Sequence, residues 1–176
     1  MEAVADFERC VALLRGGDPA GATTALLSLR DNPQCVDIAR AVLARSTDGD
    51  ALFHALALFR DGALKSWDAR PSNERDAMAG AALDFARGEA ARNAPPYVTA
   101  AAAECFATLW ARGYVDACAA DAHDAAVRRG RDAVVAVAAA GGATIVATTL
   151  SCLLAELSGV GRTHLGVARA RRAAAR

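Results

Sequence analysis

The chain is predicted to be all-α, and three observations predict this fold class. Alanine, the strongest helix former, fills 47 of the 176 positions. Apolar residues recur at three- and four-residue spacing almost throughout the sequence. Nowhere do apolar and polar residues alternate with period two for long enough to predict a strand. Glycine, proline and asparagine interrupt the pattern at regular intervals, as expected for helices of ordinary length joined by short turns.

The first half of the chain divides into four predicted helices. The first covers about 2–15 and stops at Gly16-Gly17. Asp18-Pro19 then supplies an N-cap acid before a proline at the first helical position, and this second helix runs to about Arg30. A third covers about 34–45. The fourth, about 50–67, has the clearest amphipathic pattern, with Leu52, Leu56, Phe59 and Ala63 on one face.

Four more helices are predicted in the second half. The fifth covers about 72–90 and the sixth about 96–112, where Gly113 is expected to cap it. The seventh runs from about 115 to 140. The eighth begins after Gly141-Gly142 and continues to about 157.

Paired helices of this length, repeating about every 40 residues, are typical of HEAT and armadillo arrays. The sequence therefore predicts an α-solenoid fragment of about four antiparallel helix pairs, a right-handed superhelix, over residues 1–158. Residues 159–176 are expected to form a basic loop or tail that begins the next repeat of a longer protein. An ordinary helical bundle remains the alternative, because periodicity alone does not separate the two.

Residues 133–155 carry no charge and follow Arg128-Arg129-Gly130-Arg131, which would suit a membrane span. Against this interpretation, the segment is mostly Ala, Thr, Ser and Gly, and Gly141-Gly142 divides it. We therefore expect two buried helices here and no membrane insertion, with a small membrane protein as the less favoured alternative.

Composition argues against several other classes of protein. The formal net charge is zero, so no long-range field attracts nucleic acid. The five cysteines are scattered without a CxxC motif, which favours a reducing compartment. The arginines near the end of the chain are expected to form a solvated tail or an interrupted helix: Arg162, Arg169, Arg171, Arg172 and Arg176.

Motifs for catalysis are missing from the sequence, and we expect no enzyme activity and no cofactor. Asp121, His123 and Asp124, with Cys118 nearby, are the densest group of possible metal ligands, but His123 would point away from the two carboxylates on a helix. Gly16-Gly17 with Gly21 follows a helix and lacks the Gly-Lys-Ser/Thr ending of a phosphate loop. The sequence therefore favours a protein-binding surface.

Three passages resemble the N-terminal region of exportin-4-like nuclear export receptors, in the importin-β (karyopherin) superfamily. The first runs from Leu52-Phe53-His54-Ala55 to Ala63-Leu64-Lys65-Ser66-Trp67. The second runs from Tyr97-Val98 to Arg112-Gly113-Tyr114-Val115-Asp116. The third runs from Thr144 to Leu153-Leu154-Ala155-Glu156-Leu157-Ser158. They are similar to the second, third and fourth B helices of that family, a B helix being the second of each pair. Exportin-7-like receptors are the nearest competitor.

The resemblance implies a shuttling receptor of the nucleus, cytoplasm and nuclear pore, which would bind the small GTPase Ran in its GTP form. It also implies contacts with nucleoporins and a protein cargo, which for this family is mainly the translation initiation factor 5A. Ran-GTP and cargo would bind one superhelix cooperatively and be released after GTP hydrolysis. Family members run to roughly a thousand residues, so the chain would represent the first four repeats only.

The face that would meet Ran-GTP is expected on the B helices, away from the stacking interfaces. Its candidate residues are His54, Arg60, Asp61, Lys65, Glu104, Thr108, Arg112, Thr148 and Glu156. Many B helices of the family carry a Lys-Asn pair where this chain has Arg60-Asp61, so this chain departs from the family pattern at these two positions. The simpler interpretation is that these residues form the solvent-exposed face of amphipathic helices. The rival function is an unrelated HEAT or armadillo scaffold.

Overall fold

The computed structural model describes residues 2–119 and 123–158, and these residues contain helices and turns but no strand. The predicted all-α class is therefore confirmed. The helices are α1 (Glu2–Gly16), α2 (Pro19–Asp31), α3 (Cys35–Arg45), α4 (Gly49–Lys65), α5 (Ser72–Arg87), α6 (Glu89–Asn93), α7 (Pro96–Ala119) and α8 (His123–Ser158). A short 3₁₀ helix, Trp67–Ala69, follows α4.

The first four predicted helices are confirmed to within about two residues, because their start and stop signals are local. Gly17 takes a φ of 117°, which ends α1 in a conformation that favours glycine. Asp18 then caps α2 by accepting a hydrogen bond from the backbone N–H of Gly21 at 2.8 Å. Asp48 caps α4 in the same way, accepting from the N–H groups of Asp50 and Ala51.

The fifth and sixth helices differ from their predicted bounds. The segment predicted as 72–90 breaks at Gly88, whose N–H donates to the carbonyl of Phe85, and α6 follows as a separate helix. The predicted cap at Gly113 is wrong, because α7 continues to Ala119. Tertiary contacts hold this extension. A Cβ on Gly113 would lie 3.8 Å from the Trp67 ring, and Asp116 accepts a hydrogen bond from Trp67 Nε1 at 2.7 Å.

The predicted start of the seventh helix at about 115 is wrong, since residues 115–119 belong to α7. The predicted break at Gly141-Gly142 is also wrong, because one continuous helix, α8, runs from His123 to Ser158. However, α8 cannot be straight. A Cβ on Gly130 would lie 2.2 Å from the Trp110 ring, and Glu156 accepts a hydrogen bond from Thr108, only two residues away on α7. Gly130 and Glu156 would be about 39 Å apart in a straight helix at 1.5 Å per residue.

Because both residues meet the same part of α7, α8 must bend sharply between them. Glycine pairs are a usual site of such kinks, and Gly141-Gly142 lies in this interval. We refer to residues 123–140 as the N-terminal half of α8 and to residues 143–158 as its C-terminal half.

Side-chain contacts show how the helices run relative to one another. Cys35, at the start of α3, meets Gly62 near the end of α4, so this pair is antiparallel. Arg75 near the start of α5 pairs with Asp116 near the end of α7, which makes a second antiparallel pair. The two-residue turn at 17–18 makes α1 and α2 a third pair, since the two helices also pack together.

The second helices of these pairs lie side by side and point the same way. The C-terminal ends of α2 and α4 lie together, because Arg30 and Asp31 at the end of α2 pair with Asp61 and Lys65 near the end of α4. Across α4–α7, the residue separations are 47 for Asp50–Tyr97 and 44 for Arg60–Glu104. Separations that stay nearly constant along two helices indicate parallel neighbours. The C-terminal half of α8 meets α7 at two places with the same separation of 48, Glu104–Cys152 and Thr108–Glu156, so it also runs parallel to α7. We call α2, α4, α7 and this half the parallel layer.

One apolar core runs through α1, α3, α4, α5, α7 and α8. Helix α4 lies at its centre and buries Leu52, Leu56 and Phe59 among eight buried residues. Cys35 and Cys105 are buried as free thiols, and burial raises the pKa of the Cys105 thiol to about 12. Cys105 therefore acts as a small apolar side chain.

Among the helices of 2–119 and 123–158, none has a segment long and apolar enough to cross a membrane. That search includes the uncharged residues 133–155, which belong to α8.

Candidate partner-binding face

Four charged side chains cross the parallel layer as a chain of alternating signs. Arg30 of α2 donates to Asp61 of α4, whose carboxylate also accepts from Arg60 Nε at 3.1 Å. Arg60 Nη1 then donates to Glu104 of α7 at 2.6 Å. We call Arg30, Asp61, Arg60 and Glu104 the polar ladder. The two inner members are mostly shielded from solvent: 20% of the Arg60 side chain and 18% of the Asp61 side chain are exposed. About half of the Arg30 and Glu104 side chains is exposed.

A cleft lies between α2 and α4, beside the polar ladder. Its narrower end, about 230 Å³, has mainly apolar walls that include Phe7, Leu26 and Leu58. The wider end, about 670 Å³, reaches the exposed ion pair between Lys65 and Asp31, whose Nζ–Oδ1 distance is 2.8 Å. Leu27, Arg30 and Asp61 line both ends. The cleft therefore has mainly apolar walls. Its charged residues form oppositely charged pairs, Arg30 with Asp61 in the middle and Lys65 with Asp31 at the rim.

His54 lies on the wall of this cleft, half-buried near the N-terminal part of α4. Its ring meets the edge of Phe53, with 5.3 Å between the ring centroids. Burial lowers the pKa of His54 below its usual value of 6.5, against a smaller opposing effect of Asp50. The imidazole is therefore mainly neutral at pH 7 and adds no charge to the cleft.

Two of the sequence-predicted residues do not lie on an exposed face. Thr108 has 2% of its surface exposed and Glu156 has 8%, because the two side chains bond to each other between α7 and α8. The expectation that they lie away from a packing interface is wrong, since α8 covers this side of α7. Thr148, also predicted, is half-buried on the C-terminal half of α8.

Arg112 belongs to a different cluster, which fastens the 3₁₀ helix to α7. Its guanidinium donates to Asp68 at 2.7 Å, and only 15% of the side chain is exposed. Nearby, Asp116 accepts hydrogen bonds from Trp67 Nε1 and from Arg75, each at 2.7 Å. These contacts hold the connection between α4 and α5 against α7. Arg112 is therefore a structural residue in this arrangement.

The structure describes only part of the alternative metal and phosphate sites considered in the sequence. Within the described part of the chain, no three His, Cys, Asp or Glu side chains are grouped to hold a metal ion. Asp121 and the side chains of Cys118 and His123 lie outside the described residues, as do residues 159–176 with their arginines. Gly16 ends α1, Gly17 lies in the turn, and Gly21 lies in the first turn of α2. The backbone N–H of Gly21 donates to the carboxylate of Asp18.

Sequence reasoning missed the contribution of α2 to this face. Arg30 and Asp31 end α2, and each pairs with a predicted residue of α4, Asp61 and Lys65. An Arg-Asp dipeptide at a helix end looks like ordinary solvated charge. Only the parallel register of α2 on α4 identifies its partners. The structure therefore brings together His54, Arg60, Asp61, Lys65 and Glu104 of the predicted set.

Comparison of the chain with models of protein families, with curated proteins and with solved structures finds no match.

Proposed function

We propose that the chain is the N-terminal part of a nuclear export receptor that binds Ran-GTP. The observation that carries the proposal is the parallel layer. The three passages that resemble the receptor family fall on α4, α7 and the C-terminal half of α8, which are consecutive neighbours in that layer. Successive B helices of a helical-repeat array would have this relation.

On this proposal the fold is an α-solenoid of HEAT-like pairs: α1 with α2, α3 with α4, α5 with α7, and the two halves of α8 as a fourth pair. The direct packing of α4 on α7, and of α7 on α8, supports such stacking. A stack of this kind presents the parallel layer as one continuous surface. The polar ladder and the cleft both lie on it, so this surface is the proposed face for Ran-GTP.

The residues proposed to meet Ran-GTP differ in part from those predicted. Thr108 and Glu156 are excluded because they are buried between α7 and α8, and Arg112 and Thr148 because they belong neither to the polar ladder nor to the cleft. Leu27 is added, since it borders the cleft with 51% of its surface exposed. The proposed contact set is Leu27, Arg30, Asp31, His54, Arg60, Asp61, Lys65 and Glu104.

Most of these charges already have partners within the chain, and this fact shapes the expected energetics. A contact with Ran would exchange one ion pair for another, so removing a single charge should change affinity little. Reversing a charge should cost more, because the neighbouring ladder residue and Ran would then face a like charge. An apolar anchor in the cleft would supply the remaining binding energy.

The mechanism is linkage between two binding events, without catalysis. Ran-GTP and cargo, such as translation initiation factor 5A, would each favour the same curvature of the whole receptor, so each would strengthen the binding of the other. Nucleoporin contacts and shuttling between nucleus and cytoplasm belong to the same proposal. The 176-residue chain would hold part of the Ran surface, and the full coupling would need the remaining repeats.

The test is calorimetry of the chain against Ran loaded with a non-hydrolysable GTP analogue and against Ran-GDP, at moderate salt. We expect preference for the GTP form. Leu27→Glu and Glu104→Lys should each weaken binding at least about tenfold, or 1.4 kcal/mol. Asp84→Lys is the matched control, because Asp84 lies on α5 with 76% of its side chain exposed and should leave affinity unchanged.

The alternative function, an unrelated HEAT or armadillo scaffold, makes a different prediction for the same measurement. A folded chain that binds neither form of Ran, but loses another protein partner on Leu27→Glu, would support the scaffold. Circular dichroism of every variant confirms that the helices are intact before the comparison is made.

A further inference from the structure

Helix α2 is held in place by less apolar burial than its neighbours. Ala22 is its one buried residue, whereas α3 buries four residues and α4 buries eight. Helix α1 inserts Phe7 and Val11 into the apolar core, but α2 contributes no buried residue to that core. Leu26 and Leu29 of α2 pack against it while partly exposed. Because apolar burial is the main stabilising contribution, α2 is the most weakly anchored of the helices α1 to α4.

Side-chain bonds from α2 to other helices lie at its C-terminal end. The two threonine hydroxyls of α2 donate to carbonyl groups of the same helix. In the described part of the chain, the side-chain bonds that leave α2 are the ion pairs of Arg30 with Asp61 and of Asp31 with Lys65. Half of Arg30 and most of Asp31 and Lys65 are exposed, so salt screens both pairs and each contributes little. The two ion pairs form a weak latch on α2.

The sequence of α2 also stabilises its helix poorly. A 13-residue helix is marginal in water even when it consists of strong helix formers. Helix α2 contains Gly21, Thr23 and Thr24, which have lower helix propensity than alanine. The short turns at 17–18 and 32–34 tie both of its ends to α1 and α3, which leaves little room for α2 to swing away intact. Its route out of the folded position is therefore local unfolding.

Unfolding of α2 would uncover the apolar wall at the narrower end of the cleft. Leu26 and Leu27 of α2 form part of this wall, and Phe7 of α1 and Leu58 of α4 complete it. Both Phe7 and Leu58 are almost completely buried while α2 is folded. Without α2, the two side chains would face solvent.

We propose that α2 is an order–disorder lid over the cleft, which opens when α2 unfolds while the other helices stay folded. The ion pairs Arg30–Asp61 and Asp31–Lys65 latch the lid, so ionic strength shifts the balance between its closed and open states. A partner that contacts folded α2 would hold the lid closed. The lid is a property of the chain alone, and its test needs no Ran.

Hydrogen exchange of the isolated chain, followed by mass spectrometry, tests the proposal. Peptides from α2 should exchange at least about tenfold faster than peptides from α3 and α4, which open only with the whole fold. Arg30→Gln/Lys65→Gln removes both ion pairs and should speed exchange in α2 by a further factor of about two to ten. Raising the sodium chloride concentration from about 0.05 to 1 M should speed α2 in the wild type but not in this variant.

Arg9→Gln is the matched control for the latch variant. It removes an exposed ion pair, Arg9–Asp6, that lies within α1 and does not involve α2. Exchange in α2 should therefore remain at the wild-type rate. Melting temperatures of both variants confirm that the whole fold is retained.

Thiol labelling tests whether unfolding of α2 opens the cleft. The thiol of Leu58→Cys should react with iodoacetamide at least about tenfold faster than Cys35 and Cys105, which are buried in the core and report unfolding of the whole chain. Adding Arg30→Gln/Lys65→Gln should speed labelling at position 58 by the same factor as exchange in α2.

Three results would overturn the proposal. Exchange in α2 at the rate of α3 and α4 would show that α2 opens only with the whole fold. An unchanged α2 rate in Arg30→Gln/Lys65→Gln, or an equal acceleration in Arg9→Gln, would show that the two ion pairs are not its latch. Labelling of Leu58→Cys as slow as that of Cys35 would show that α2 does not control access to the cleft.

Discussion

Helix α4 has a different neighbour on each side, and the two interfaces differ in kind. Towards α7 it lies beside a closely packed apolar core, in which Leu56 and Leu109 are buried almost completely. Towards α2 it borders a cleft with the exposed Leu27 and a set of paired charges. The comparison separates two roles within one helix. The α7 side supplies stability, whereas the α2 side leaves an open cleft.

The largest expected effect tests this division directly. On the α7 side, Leu56→Ala removes a side chain that is 1% exposed, so it should lower the free energy of unfolding by about 2–5 kcal/mol. Leu27→Ala, on the α2 side, should lower it by no more than about 0.5 kcal/mol. Urea denaturation followed by circular dichroism measures both. Equal losses would show that the α2 side also carries the fold.

A second prediction concerns the packing of α3 on α4. A Cβ on Gly62 would lie 2.5 Å from Cys35 Sγ and 3.0 Å from Val36 Cγ2, so Gly62→Ala should destabilise the chain by about 1–3 kcal/mol. The same change at Gly80, in the interior of α5, meets nothing within 4 Å and should stabilise by up to about 1 kcal/mol. Thermal melts of the two variants should therefore move in opposite directions. A shift in the same direction would contradict the close approach of α3 and α4.

The smallest effect is a dependence on pH. Because burial lowers the pKa of His54, the unfolded chain binds a proton at this site more readily than the folded chain. The stabilising contribution of the neutral imidazole is complete above pH 6.5 and is lost as the pH falls below it. Folding free energies at pH 7.5 and 5.5 should therefore differ less in His54→Asn than in the wild type. An identical difference in both proteins would remove His54 as the cause.

Local signals made the first half of the fold predictable from the sequence. Caps such as Asp18-Pro19 and Asp48 act within four residues, so the bounds of α1 to α4 followed from neighbouring residues alone. Gly113 shows the limit of that reasoning. A glycine inside a helical pattern resembles a cap, but its contact with Trp67, 46 residues earlier, lets α7 continue.

The candidate face was predictable only for the helix whose amphipathic pattern was clear. His54, Asp61 and Lys65 of α4 do line the cleft. Thr108 and Arg112 were misjudged because one helix does not reveal which of its polar positions a neighbour will cover. Arg30 was missed for the complementary reason: its role depends on the register between α2 and α4, which no local pattern encodes.

Hydrogen exchange followed by mass spectrometry, with and without Ran bound to a GTP analogue, tests the central claim most directly. The account predicts slower exchange in peptides from α2 and from 54–65 of α4 when Ran-GTP is present. Peptides from α3 and α5, which lie on the other side of the pairs, should exchange at unchanged rates, and Ran-GDP should protect neither set. Protection confined to α3 and α5, or no protection at a saturating concentration of Ran-GTP, would contradict the proposal that the α2 side of α4 is the partner-binding face.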